Sequence, residues 1–291
     1  MTGSLTTREL SLALGVSESS IKRWADDGTI EAARTLGGHR RIPLAEAVRF
    51  VRETRAPLAR PELLGLPDLA AAGDQPVEPG DAAERLLASL RAGAAAEARG
   101  IVQALFVAGQ PVAAIVDGPL QRAMTKIGEE WRHDAAGIAR EHRATDIAIQ
   151  SLNQLRALLA PPLDALVAAG GAPSGDPYIL PSLAAATVLA AEGMRAENLG
   201  PDLPIPALRG AIAALRPALV WISVSRAVQP DRLAGEIAAL AQSVRRDGVS
   251  VVVGGRALSP RLLPSLANLH VGGSMAELAA FARGLVAAAR R

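Results

Sequence analysis

The chain has 291 residues, 49% of them hydrophobic, a net charge of +2 and no cysteine. This length and apolar content suffice for two or three domains with separate cores and exclude a disordered protein. The absent cysteines exclude disulfides, thiolate nucleophiles and sulfur-built zinc sites, and the near-neutral charge requires any nucleic-acid surface to be local. No run of about 18 uncharged apolar residues occurs, and Met1 to Glu9 lacks the basic-then-apolar order of a signal peptide. The expectation is a cytoplasmic chain with no membrane contact.

Residues 5 to 53 alternate short helix signals with turns. Thr6 can cap a helix through Leu14, Gly15-Val16 supplies a turn, and Ser17 can cap a second helix from Glu18 to about Asp26. Leu10, Leu14, Val16, Ile21 and Trp24 provide apolar contacts that fix the angle between the helices. Ser19, Ser20, Lys22 and Arg23 then fall on or near the outward face of the second helix, a composition suited to base edges and phosphates in a major groove. Residues 30–42 predict a β-hairpin with Gly37-Gly38 in its turn and His39, Arg40 and Arg41 at its tip. A helix from Leu44 to about Glu53 closes this domain of residues 1–55.

Residues 56–80 contain Pro57, Pro61, Pro67, Pro76, Pro79, Gly65, Gly73 and Gly80, which break all periodicity and predict a flexible linker. Helical patterns then cover about 81 to 108, with a break near Ala92 to Ala95, then 111 to 132 and 137 to 160. They predict a helical bundle over residues 81–168. In its last helix Ile138, Glu141, His142, Thr145, Ala148, Ile149, Leu152, Leu155 and Leu159 form one stripe. Two ionisable groups interrupt its first turns. Either that end is open to solvent or, together with Trp131, it meets a polar ligand.

From 173 onward strands and helices alternate. Apolar runs at Tyr178–Leu180, Arg195–Leu199, Leu219–Val224, Ser250–Val253 and Leu269–Val271 are separated by helices beginning near Pro181, Pro206, Pro230, Ser259 and Ser274. The fold class is α plus α/β: a winged helix-turn-helix, a helical bundle, and over 173–291 a Rossmann-like, flavodoxin-type five-stranded parallel sheet. Its ligand crevice is expected beyond the carboxyl ends of the strands, where Ser223, Ser225, Gly254 and Gly255 fall.

The segment Leu5 to Arg52, with Gly15-Val16-Ser17, Arg23-Trp24 and Gly37-Gly38-His39-Arg40-Arg41-Ile42, resembles the winged helix-turn-helix of MerR-type transcription regulators. The resemblance implies recognition-helix contacts from Ser19 to Arg23, minor-groove or phosphate contacts from His39 to Arg41, and dimers on paired half-sites. With Trp131 followed after nine residues by Glu141-His142, and then the sheet, the chain resembles the cobalamin-binding sensors of CarH and LitR type light-responsive repressors along nearly its whole length. That likeness implies that the bundle caps adenosylcobalamin, with Trp131 and Glu141 packed around the adenosyl group beside His142. It implies that Ser223, Ser225, Gly254 and Gly255 surround the nucleotide tail.

The family's first strand-to-helix loop carries an acidic residue, one residue, histidine, two residues and glycine; the histidine ligates cobalt from below and the glycine leaves space for the tail. Here the loop reads Gly175-Asp176-Pro177-Tyr178-Ile179-Leu180-Pro181-Ser182. Pairing Asp176 with the acidic residue puts Tyr178 at the histidine position; counting back from Gly193 puts Ile179 there and Ser182 at the glycine. Neither alignment supplies an imidazole.

The expected function is therefore a non-enzymatic DNA-binding regulator, a repressor in the family, acting on a double-stranded operator as a dimer or tetramer, with a partner protein as a further possibility. Its ligand is open between cobalamin, another tetrapyrrole and none; haem would draw on His133, His142 or Tyr178 as axial groups. Two other readings stand beside it. One is a corrinoid carrier or methyltransferase-type module, which gives no role to a DNA-binding wing, and the other is a ligand-free interaction adaptor.

Overall fold

A computed structural model describes residues 3–73, 76–130, 135–258 and 269–290. The chain divides into two compact units, residues 1–160 and 161–291. No helix among the described residues is long and apolar enough to cross a membrane.

The first unit opens with β1 (Ser4–Thr6), α1 (Thr7–Leu14) and α2 (Glu18–Asp26), followed by β2 (Ala33–Arg34), β3 (Arg40–Pro43) and α3 (Leu44–Thr54). Both predicted caps form. The Thr6 hydroxyl accepts from the Glu9 amide while the Glu9 carboxylate accepts from the Thr6 amide, and Ser17 Oγ accepts from the Ser20 amide. Gly15, at φ 68°, ends α1 in the left-handed conformation that a side chain would resist. β3 pairs antiparallel with β1 and β2, so the hairpin is anchored by a third strand that the sequence reading had not assigned. Leu10, Leu14, Ile21, Ile30, Ile42, Phe50 and Val51 form the buried centre of this domain, and Trp24 lies against Phe50 with ring centroids 5.1 Å apart.

The expected flexible linker is instead a packed segment. It contains 3-10 turns at Pro61–Leu64 and Leu69–Ala72, and Leu64 and Leu66 are fully buried. The Ala59 and Arg60 amides donate to the Ala13 carbonyl, which fastens its start to α1. Its prolines prevent a regular helix, but its leucines still gain by leaving water, so irregular backbone and fixed position coexist here.

The bundle follows as α4 (Pro79–Ala92), α5 (Ala95–Val107), α6 (Val112–Ile115), a π-helical turn Val116–Leu120, α7 (Gln121–Glu130) and α8 (Ala135–Leu158). Gly93, at φ 72°, makes the predicted break after α4. A Cβ on Gly100 would stand 2.3 Å from the Asp68 carbonyl, so α5 and the 59–73 segment meet backbone to backbone. Around this contact the Arg99 guanidinium donates to Asp68 at 2.8 and 3.1 Å and to Gln150 at 2.8 Å. Gln154 donates to Asp68 at 3.1 Å and accepts from Gln103 at 2.9 Å.

The second unit contains β4 (Val167–Gly171), α9 (Leu180–Ala191), β5 (Arg195–Asn198), α10 (Ile205–Leu215), β6 (Leu219–Ser223), α11 (Pro230–Val244), β7 (Ser250–Gly254), β8 (His270–Gly272) and α12 (Met275–Ala289). The sheet order is β5-β4-β6-β7-β8 and every pairing is parallel, the doubly wound arrangement expected. Alternation sorts its two faces: Val220, Ile222, Val251 and Val253 pack with α10 and α11, and Ala168, Ala196, Leu219, Trp221 and Val252 pack with α9 and α12.

Two boundaries differ from those expected. The unit begins before 173, because β4 is Val167-Ala-Ala-Gly-Gly, and Tyr178–Leu180 is the loop entering α9. The small residues of β4 give little strand signal, yet they are required: a Cβ on Gly170 would lie 2.4 Å from the Trp221 indole. The helix expected from Ser259 lies outside the described residues.

Candidate functional site

The first candidate surface is the outer side of α2 with the β2–β3 wing. Burial of Ile21 orients α2 so that Ser19, Lys22 and Arg23 are exposed and Ser20 is half-buried. The serine hydroxyls are already clustered, with Ser17 Oγ 2.8 Å from Ser19 Oγ and 2.9 Å from Ser20 Oγ. Lys22 pairs with Glu18 at 3.0 Å. The Thr7 hydroxyl, with help from Lys22, holds the Glu18 carboxyl below its usual range. At the wing the Thr35 amide donates to the His39 carbonyl and Gly38 takes φ 77°, closing the turn.

His39 and Arg41 are exposed, but Arg40 is not equivalent to them. Its guanidinium donates to Asp26 at 3.2 and 2.5 Å, its side chain is only 20% exposed, and Arg34 reaches the same carboxylate at 3.4 Å. Arg40 therefore ties the wing to the end of α2. Leu36, fully exposed at the wing tip, was not singled out by its sequence, where a leucine beside Gly37-Gly38 carries no pattern.

This domain is also fixed to the bundle of its own unit. Arg52 on α3 donates to the Phe106 and Gln110 carbonyls at 2.9 and 3.2 Å, and its guanidinium lies 4.1 Å from the Phe106 ring centroid. A cation thus meets the C-terminal end of α5, where the helix dipole favours it. Burial lowers the Arg52 pKa from its ordinary value.

On the bundle, Glu141 is part-exposed, accepts from the Thr145 hydroxyl at 3.0 Å and lies 3.7 Å from His142 Nε2. His142 and Ile138 are exposed, while Ala144, Ile147, Ala148, Leu152 and Leu155 are buried, so the stripe becomes core only beyond its first turns. Trp131 and His133 lie outside the described residues. A shallow depression nearby is lined by Leu90, Arg91, Ile127, Glu130, Gly137 and Arg140, with Arg91 paired to Glu130.

The second unit brings its expected residues together at the carboxyl ends of β4, β6 and β7. Asp176 is fully buried, and its carboxylate accepts from the amides of Tyr178 at 3.2 Å, Ser225 at 2.6 Å and Arg226 at 2.9 Å. One side chain therefore joins the first loop to the loop after β6. Ser223 is buried and pairs with Gly254 across the β6–β7 ladder. Gly255, at φ 125°, lets the β7 end pass the Val224 backbone, since a Cβ there would stand 2.2 Å from the Val224 carbonyl. Tyr178 and Ile179 are exposed, and Arg256 lies over the Tyr178 ring at 4.8 Å. Below them Ser182, Asn198 and Trp221 form a hydrogen-bonded row. Tryptophan rarity flagged Trp221, but nothing in the sequence gives its partners.

Residues 4–55 match the family model of a helix-turn-helix domain and residues 82–156 that of a B12 binding domain. The HTH-type transcriptional repressor CarA of Myxococcus xanthus is 29% identical over 235 residues, covering 79% of this chain and 80% of that protein. The solved monomethylamine corrinoid protein of Methanosarcina barkeri is 18% identical with a TM-score of 0.56, covering 72% of this chain and 100% of that one, a likeness of fold. The two matched domains fall on the winged helix-turn-helix and on α4 to α8, and the doubly wound sheet follows them. The chain is a DNA-binding transcription regulator that joins a helix-turn-helix domain to a B12 binding domain, and over most of its length it is similar to the CarA repressor.

Proposed function

We propose that this regulator is a repressor that occupies a double-stranded operator as a homo-oligomer, with α2 in the major groove and the wing on the adjacent backbone. The observation that carries the reading is the exposed row Ser19, Lys22 and Arg23 on a helix whose opposite face is locked by Ile21 and Trp24. Hydroxyls and cations on a rigid helix can meet base edges and phosphates, and the exposed His39 and Arg41 add contacts from the wing. Arg40, held by Asp26, positions the wing and does not lead its contacts. A single reader domain with so few cations binds weakly; two or more tethered copies gain through effective concentration.

In this reading the output is DNA occupancy, with no chemical step on a substrate. The likeness to CarA supports repression over activation. Selection of duplexes from a random pool by the full chain, followed by titration of the recovered sites, tests it. The expected result is enrichment of paired half-sites whose centres are about 10 bp, or a multiple of that, apart. Failure to enrich any duplex above the starting pool would overturn the proposal.

A further inference from the structure

The helix-turn-helix reading says nothing of what the sheet unit accepts, and the residues there decide a separate question. The family likeness calls for a lower-face imidazole in the first loop and a glycine near the start of the following helix, where the nucleotide tail of cobalamin enters. Counted from Asp176 these places hold Tyr178 and Pro181, and counted back from Gly193 they hold Ile179 and Ser182; neither count gives an imidazole or a glycine.

Ser182, on the first turn of α9, is fully buried. Its hydroxyl donates to Asn198 Oδ1 at 2.8 Å and accepts the Trp221 indole N–H at 3.0 Å. Asn198 Oδ1 accepts a second bond from the Gly200 amide at 3.3 Å. Trp221 is 2% exposed and lies on the Gly170 backbone, surrounded by Ala168, Ala185, Ala186 and Leu189. The small residues that line this layer are thus matched to the indole. An inserted tail would have to displace a tryptophan, leave its N–H without a partner inside the fold and take from the Ser182 hydroxyl one of its two bonds.

The loop above is equally committed. A carboxylate that orients a metal-bound imidazole must have an oxygen to offer it. Asp176 is fully buried, with Oδ2 accepting the Ser225 and Arg226 amides and Oδ1 the Tyr178 amide, so its carboxylate holds the loop tips together and is not presented to a ligand. The candidate positions carry a phenol under Arg256 and an exposed aliphatic chain, and neither replaces an imidazole on cobalt.

We infer that the sheet unit is closed to the nucleotide tail of a cobalamin, so that a corrinoid meeting this protein is held, if held, without insertion of its tail. This holds whether or not the operator selection succeeds.

The test uses the full chain in the dark with adenosylcobalamin and with adenosylcobinamide, which lacks the tail. Absorbance spectra and affinities are measured by titration and desalting. The expected result is an adenosylcobalamin spectrum with the cofactor's own base still on cobalt, and an affinity for it within about threefold of that for adenosylcobinamide or weaker; binding of neither is the limiting case. A spectrum with the base displaced, or a preference for adenosylcobalamin beyond that ratio, overturns the inference. Ile179→His and Tyr178→His separately supply an imidazole while leaving Ser182 and Trp221 in place. Both variants should keep the base-on spectrum, and a displaced base in either would show that the channel opens.

Discussion

The reader surface and the ligand end of the sheet each gather polar side chains, and they spend them differently. On α2 and the wing the polar groups are exposed, and their pairs, such as Lys22 with Glu18, can exchange for phosphate at little cost. In the sheet unit Asp176, Ser182 and Trp221 are buried, and their hydrogen bonds run to each other, to Asn198 or to backbone amides. Those bonds cannot be traded for a ligand without leaving a buried group unpaired. Polar groups paired loosely at a surface leave it open to a partner, whereas polar groups paired with one another inside the fold serve as core.

The largest expected effect tests the second half of that contrast. Trp221→Ala should lose about 3–5 kcal/mol of stability, because it removes a buried aromatic packed on Gly170 and breaks the bond to Ser182. Denaturant unfolding measures it. A loss below about 1 kcal/mol would mean that the layer collapses easily and that the indole is no plug. Next comes Arg52→Ala, which removes the donors to the Phe106 carbonyl in the last turn of α5 and to the Gln110 carbonyl beyond it. Hydrogen bonds from a charged group contribute about 1.5–3 kcal/mol. Limited proteolysis of the 55–75 segment should accelerate in this variant, and unchanged cleavage would show that the reader domain is held to the bundle by other contacts.

A smaller effect concerns acid. The Arg99 guanidinium, despite partial burial, holds the Asp68 carboxyl below its usual range. The ionised carboxylate stabilises the folded state at pH values above the ordinary carboxylate pKa of about 4, and this contribution is lost as the pH falls through its lower folded value. Melting temperature should therefore drop below about pH 4, and Asp68→Asn should flatten that part of the curve. An unaltered acid limb in the variant would assign the drop to other carboxylates.

How much of this was legible in the sequence follows from the range of the interactions. The caps at Thr6 and Ser17 and the left-handed Gly15 are local, and all three occupy the positions that their neighbours imply. In the 56–80 segment proline reports on backbone regularity and not on packing, and Leu64 and Leu66 are fully buried despite the irregular backbone. β4 carries little strand signal because alanine and glycine have little strand preference, and the reason for them is Trp221, fifty-one residues beyond Gly170. Tyr178–Leu180 has the aromatic and β-branched residues of a strand, yet it is loop and helix start. The Asp176 junction was invisible for a different reason: its partners are backbone amides, which every sequence has.

The smallest effect divides two adjacent arginines that composition cannot tell apart. If Arg41 meets a phosphate, Arg41→Ala should reduce the slope of log affinity against log salt by about 1 and weaken binding to all duplexes alike. Arg40 is already neutralised by Asp26, so Arg40→Ala removes less charge from the DNA side and leaves Asp26 with Arg34 alone. Its slope should stay near that of the parent while affinity falls by the cost of a loosened wing, no more than about 1 kcal/mol for a part-exposed pair. Equal slopes for the two variants would show that Arg40 leaves Asp26 when DNA arrives. The wing would then be a surface that re-pairs on binding, and the openness that separates it from the sheet site would extend to Arg40 as well.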